Sequence, residues 1–275
     1  VYYKQDYSAG VDISKYKNIP VPTSYMAIQS KYDFVGGYEA DVQGGLLHVA
    51  DHHVSPGKKQ WTWGNGDFGK AWDRNLTDED GPYIELMTGM YTDNQPDFSW
   101  LQPYEEKSWV QYFMPYSEVG YVKNATKDVL LNVELKEDNA HLILYTTGVN
   151  KDVHLLAKDI QGKILLDKII QISPADPFTV TFPATGLKEE DIRIEIRDCE
   201  GKVMLTYQAD KPEIKPMPDP AKAAKDPKDI ASIEQLFLTG LHLEQYRHAT
   251  YNPMDYYQEA LRREPGNVRC NNAIG

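Results

Sequence analysis

The period of the apolar residues changes once along this chain, and that change limits the folds open to it more than any other feature. From about Asn124 to Asp210, apolar and polar residues alternate in seven short runs: VLLNVELK, HLILYTT, VHLLAKDI, KILLDKIIQI, FTVTFPA, IRIEIRDC and KVMLTYQA. A period of two sends every second side chain to one sheet face, as with Ile192, Ile194 and Ile196, so each run reads as a half-buried strand. Residues 211–229 then carry five prolines among mixed charges, the composition of a stiff, extended linker. Beyond it the period becomes helical. Ile233, Leu236, Phe237, Gly240 and Leu241 fall at i, i+3, i+4, i+7 and i+8. A second helix follows, with Pro253 at its start and Pro265-Gly266 after its end.

Ahead of the seven runs, residues 1–123 are rich in Tyr and Gly, with turn signals at Gly36-Gly37, Gly44-Gly45 and Ser55-Pro56-Gly57. They read as strands and turns. Leu46 to Tyr116 holds all five tryptophans and three of the seven histidines, among many Asp and Glu residues. Aromatic faces interleaved with carboxylates and amides suit a ligand that is apolar on its face and polar at its edge, as sugars are. In QWTWG, Trp61 and Trp63 share a face; in YIELMTG, Tyr83, Glu85 and Met87 do. The segment NGDFGKAWDRNLTDEDG between them reads as a long polar loop.

Several classes of function are excluded by charge and composition. With 29 Lys and Arg against 41 Asp and Glu, the formal charge is -12, and no basic run could neutralise phosphates, so no nucleic acid partner is expected. No apolar run approaches the roughly 20 residues that cross a bilayer, so no membrane partner is expected either. Cys199 and Cys270 fall in different predicted domains and form no zinc pattern.

The residues HVADHHVSPGKKQWTWG (48–64), LTDEDGPYIELMTG (76–89), DNQPDFSWLQPYEEKSW (93–109) and LTGLHLEQYRHATYNPMDYYQEALRREPG (238–266) carry a family resemblance. The chain resembles bacterial proteins in which a galactose-mutarotase-like β-supersandwich domain of uncharacterised function is followed by tetratricopeptide repeats. The resemblance implies a sugar-binding cleft on a large antiparallel sheet. It also implies a β region ahead of Val1, without which the sheet has open edges, and open edges pair with other chains. A homodimer is left open on that ground. A protein partner would be held by the repeats, and a bacterial location, cytoplasmic or periplasmic, is expected for a soluble chain.

The expected architecture is thus mainly β: a partial mutarotase-like domain (1–123), an immunoglobulin-like sandwich (124–210), a proline-rich linker (211–229) and a truncated tetratricopeptide array (230–275). By resemblance to mutarotase-like enzymes, Glu85 is the candidate general base and His48 or His52 the acid, because ring opening removes one proton and delivers another. A structural alternative pairs Glu85 with loop amides or Arg74. Trp72, Asp73, Arg74, Asp80 and Trp100 are the candidate sugar contacts, the tryptophans because their loops are polar. Glu85 with Asp73 or Asp80 would instead suit glycoside hydrolysis. His48, Asp51, His52 and His53 do not converge if the strand is regular, since His52 and His53 then face opposite ways, so no metal or other cofactor is expected. The leading reading is a carbohydrate-active protein, epimerase-like or glycoside-cleaving. The alternatives are a non-catalytic sugar-recognition module coupled to the repeats and a scaffold in which the aromatics are core.

Overall fold

A computed structural model describes residues 12–27, 30–92, 99, 101–211, 222–245, 248 and 250–275. Trp100 and most of the proline-rich linker lie outside them. Among the described residues the chain is mainly β, with antiparallel strands β1 (Thr23–Met26), β2 (Phe34–Glu39), β3 (Gly44–Val49), β4 (Gly57–Thr62), β5 (Ile84–Gly89), β6 (Tyr112–Ser117) and β7 (Asn124–Ala125). They are followed by β8 (Val129–Lys136), β9 (Asn139–Thr146), β10 (Asn150–Asp159), β11 (Ile164–Ile172), β12 (Phe178–Pro183), β13 (Ile192–Arg197) and β14 (Val203–Tyr207). The helices are α1 (Asp67–Leu76), α2 (Ile233–Gln245), α3 (Pro253–Arg263) and α4 (Val268–Ile274). No helix among the described residues is long and apolar enough to cross a membrane. The chain divides into two compact units, Val1–Thr92 with Lys107–Lys215, and Asp93–Glu106 with Pro216–Gly275.

In the first unit all seven strands read from the alternation between 124 and 210 form. With the two-residue β7 they make two four-stranded sheets, ordered β11-β10-β13-β14 and β12-β9-β8-β7. Leu131, Val133, Leu142 and Leu144 of one sheet and Leu155, Ile194, Ile196 and Leu205 of the other share one apolar core. The earlier strands make two three-stranded sheets, β2-β3-β6 and β1-β4-β5. Strand β8 is buried along most of its length because both of its faces are covered: Leu131 enters the core above, while Leu130 joins Leu47, Val49, Met114 and Tyr116 in a second one. The β2-β3-β6 sheet therefore packs directly on the β12-β9-β8-β7 sheet.

The second unit is helical. Asn252 caps α3 by accepting a hydrogen bond from the Met254 N–H at 3.1 Å, with Pro253 at the first helical position. Gly240 lets α2 approach α3 closely, since a Cβ there would lie 2.5 Å from the Tyr257 ring. The carboxylate of Glu259 accepts hydrogen bonds from Arg262 at 2.7 and 2.8 Å and from Arg263 at 2.8 Å. Arg263 in turn donates to the carbonyl of Ile230 at 2.6 Å, tying α3 to the segment before α2.

These contacts, with Arg262 foremost and Arg263 second, hold Glu259 down at about 2. A carboxyl whose folded value is depressed stabilises the fold fully above its unfolded value, and that contribution is lost as pH falls through the folded one. Helical circular dichroism is therefore expected to weaken between about pH 4.5 and 2, with a shallower decline in Glu259→Gln. An identical pH profile in the variant would remove Glu259 from the account.

Candidate functional site

The segment read as a polar loop between β4 and β5 is in fact the ten-residue helix α1. Its ends carry weak signals, Asp67 in the first turn and Arg74 in the last, but Gly66 and Gly69 and the many polar residues hide the helical period. Phe68 and Trp72 at i and i+4 form an apolar stripe on it, with ring centroids 6.5 Å apart. This stripe docks on the end of β4: Trp72 stacks on Trp63 at 4.6 Å with 11° between the ring planes, and Trp63 meets Trp61 edge-on at 5.1 Å. Trp72 is thus part of an aromatic cluster on a helix rather than a loop-borne rim residue. Asp73 is spent on structure, accepting from the Tyr16 hydroxyl at 3.1 Å and the Tyr83 N–H at 3.0 Å. Burial, followed by this carboxylate, pushes the Tyr16 phenol up to about 12. Arg74 and Asp80 are exposed, one in the last turn of α1 and one in the turn after it.

Glu85 faces this aromatic cluster, because the β4–β5 register sets it directly opposite Trp61. Its carboxylate is hydrogen-bonded by the Tyr83 phenol, not by Arg74. His48 lies on the other side. Lys58 and Leu86 belong to the opposite face of the β4–β5 pair. Leu86 reaches β2 at Gly37, and the charge of Lys58 is felt by His48. His48 is 6% exposed, meets Phe113 edge-on at 5.3 Å, and has no hydrogen-bond partner on either ring nitrogen. Burial first, and Lys58 second, push its protonation below the ordinary histidine range. The pairing of Glu85 with His48 as base and acid is therefore corrected: the sheet stands between them.

His52 does not continue β3 either. The strand ends at Val49, and the chain turns through Asp51 to Val54, with the Ser55 N–H bonded to the Asp51 carbonyl at 2.8 Å. His52 and His48 thus do not share a strand face. His52 is held by Asp33, whose Oδ1 accepts from its backbone N–H at 2.9 Å and pairs with its Nδ1 at 2.7 Å. Parity within a strand had kept His52 and His53 apart. In the turn their rings lie 3.9 Å from each other.

The first unit also holds a cleft of about 790 Å³ that none of Glu85, His48, His52, Trp72, Asp73, Arg74 or Asp80 lines. Its aromatic walls are Trp109 and Tyr112, each 42% exposed, and its polar groups include Asp51, Asp128, Asn150 and Asp198. These come from the turn after β3, the approach to β6 and three turns of the two four-stranded sheets. Of these residues the sequence points only to Trp109, as one of the five tryptophans, and to Asp51, beside the histidines. The turn residues Thr126 to Asp128 and Asp198 to Lys202 signal turns and nothing more.

Residues 4–116 match a family described as a domain of unknown function (DUF5107), and residues 124–207 match the second domain of YphG-like protein. Among solved structures the chain is similar to a TPR-domain containing protein from Parabacteroides distasonis ATCC 8503, with 31% identity over 36% of this chain and a TM-score of 0.33. The match spans 17% of that protein's length.

Proposed function

We propose that this chain binds a carbohydrate, without turning it over, in the cleft between the β2-β3-β6 sheet and the turns of the four-stranded sheets. The observation that carries the reading is the pair of half-exposed rings, Trp109 and Tyr112, set among carboxylate and amide side chains in a space of about 790 Å³. Rings of this kind stack on the C–H face of a pyranose while oxygen and nitrogen groups bond its hydroxyls. Recognition is favoured over epimerase or hydrolase chemistry because a base and an acid must reach one sugar ring. The β4–β5 pair lies between Glu85 and His48, and His52 is engaged by Asp33. In the same reading, residues 1–123 are the C-terminal part of a mutarotase-like supersandwich and 124–210 an immunoglobulin-like support that completes the site. The C-terminal helices are tetratricopeptide-type units offered to a protein partner.

Calorimetric titration with a panel of mono- and oligosaccharides tests this. Binding by the unmodified chain is expected to weaken at least about tenfold in Trp109→Ala, the loss of one stacking contact of about 1.4 kcal/mol. Glu85→Gln is expected to bind as the parent does. If Trp72→Ala abolishes binding while Trp109→Ala leaves it intact, the site is the aromatic cluster on α1 instead. No binding of any sugar would end the reading.

A further inference from the structure

We propose that the turn Asp51-His52-His53 is a binding site for a divalent cation of the zinc class, with the Asp51 carboxylate and one nitrogen from each imidazole as ligands. One ligand atom from each of these three residues lies within 4.8 Å of the other two. Three features of the geometry separate this arrangement from an ordinary polar turn.

The first is the outer shell. An ionised carboxylate can only accept, so the 2.7 Å contact with Asp33 Oδ1 places the proton of His52 on Nδ1 and leaves the lone pair of Nε2 free. Histidines that bind metals are held in this way, with the second nitrogen donating to a carboxylate that fixes both tautomer and ring orientation. The second is spacing. Asp51 Oδ1 lies 2.9 Å from His53 Nδ1 in a hydrogen bond whose proton an ion would displace, and that spacing is close to the ~3.3 Å edge of a tetrahedral shell built from metal bonds of about 2.0 Å. The His53 and Asp51 side chains are 77% and 62% exposed, so solvent and an ion reach both of them. His52, at 23%, is the anchored member.

The third is the mixture of donors. Two imidazoles and one carboxylate favour zinc and its neighbours among the transition metals, whereas magnesium and calcium take oxygen shells. Three protein ligands leave at least one coordination position to water or to a ligand. Asp33 and Asp51 both line the 790 Å³ cleft, so such an ion stands beside it. The site does not depend on the carbohydrate reading.

The test is a competition titration of the full chain with Zn²⁺ against a chromogenic chelator, repeated with Mg²⁺. One zinc per chain is expected, with no competition by Mg²⁺. His52→Ala and His53→Ala should each weaken zinc binding by at least about a hundredfold, and Asp33→Asn by about tenfold, as loss of an outer-shell partner does. His154→Ala serves as the control. His154 is also paired with a carboxylate, Asp167 at 2.7 Å, but on a strand and outside the three-residue cluster. Circular dichroism of each variant checks that the sheets remain. The proposal is overturned if the chain takes up no zinc, if the His53→Ala and parent affinities agree, or if His154→Ala loses as much as His53→Ala.

Discussion

Gly69→Ala is expected to destabilise the first unit by about 3 kcal/mol, although alanine is the better helix former. Local propensity favours the change by about 1 kcal/mol in a helix interior. Tertiary packing opposes it. A Cβ at position 69 would lie 1.7 Å from the Gly64 carbonyl oxygen, 2.6 Å from its carbon and 2.7 Å from the Trp63 carbonyl oxygen. All three are backbone atoms that no rotamer change can move, so α1 must lift away from the end of β4. Overpacking of this kind costs about 1–3 kcal/mol and more where backbone has to shift. Lifting α1 also separates Trp72 from Trp63, which stack at 4.6 Å, so near-ultraviolet circular dichroism should lose intensity in the tryptophan region. Gly89→Ala is the matched control, because nothing lies within 4 Å of a Cβ there. A raised melting temperature in Gly69→Ala would show that α1 does not dock as described.

Leu142→Ala is expected to cost about 3–5 kcal/mol, read as a lowered urea midpoint at unchanged slope. Leu142 is 0% exposed and lies in the core shared by the two four-stranded sheets, with Val133 and Val180 opposite it on the neighbouring strands. Truncation removes the transfer free energy of its methyl groups and leaves a cavity that two packed sheets cannot collapse to fill. Ile169, on β11, offers the contrast: its side chain is 62% exposed, and Ile169→Ala should shift stability by less than about 0.5 kcal/mol. Equal losses at the two positions would mean that the strands are in a different register, since a slip of one residue exchanges the faces.

The alternation that marks Leu142, Leu144, Ile194 and Ile196 as inward-facing is legible in the sequence, as is the helical period that becomes α2 and α3. The helix α1 was not legible. Its ten residues carry only Phe68 and Trp72 as an apolar stripe, and its closest packing is made by a glycine, which gives no hydrophobic signal. The histidine turn was misread for a related reason. Parity arguments hold only while a strand continues, and nothing in Ala50-Asp51-His52 announces that β3 ends at Val49.

Sequence alone therefore determined the class of most segments: strands between 124 and 210, helices after 230, and an acidic, aromatic-rich composition. Each of these follows from side chains within one or two turns or pleats of each other, where spacing along the chain is spacing in space. Tertiary structure decided which side chains meet. It set the β4–β5 pair between Glu85 and His48, brought Trp109 and Tyr112 against turns fourteen or more residues away, and folded Asp51, His52 and His53 into one cluster. Such meetings depend on how sheets stack and where strands stop, and both are settled by the packing of whole elements rather than by any local pattern.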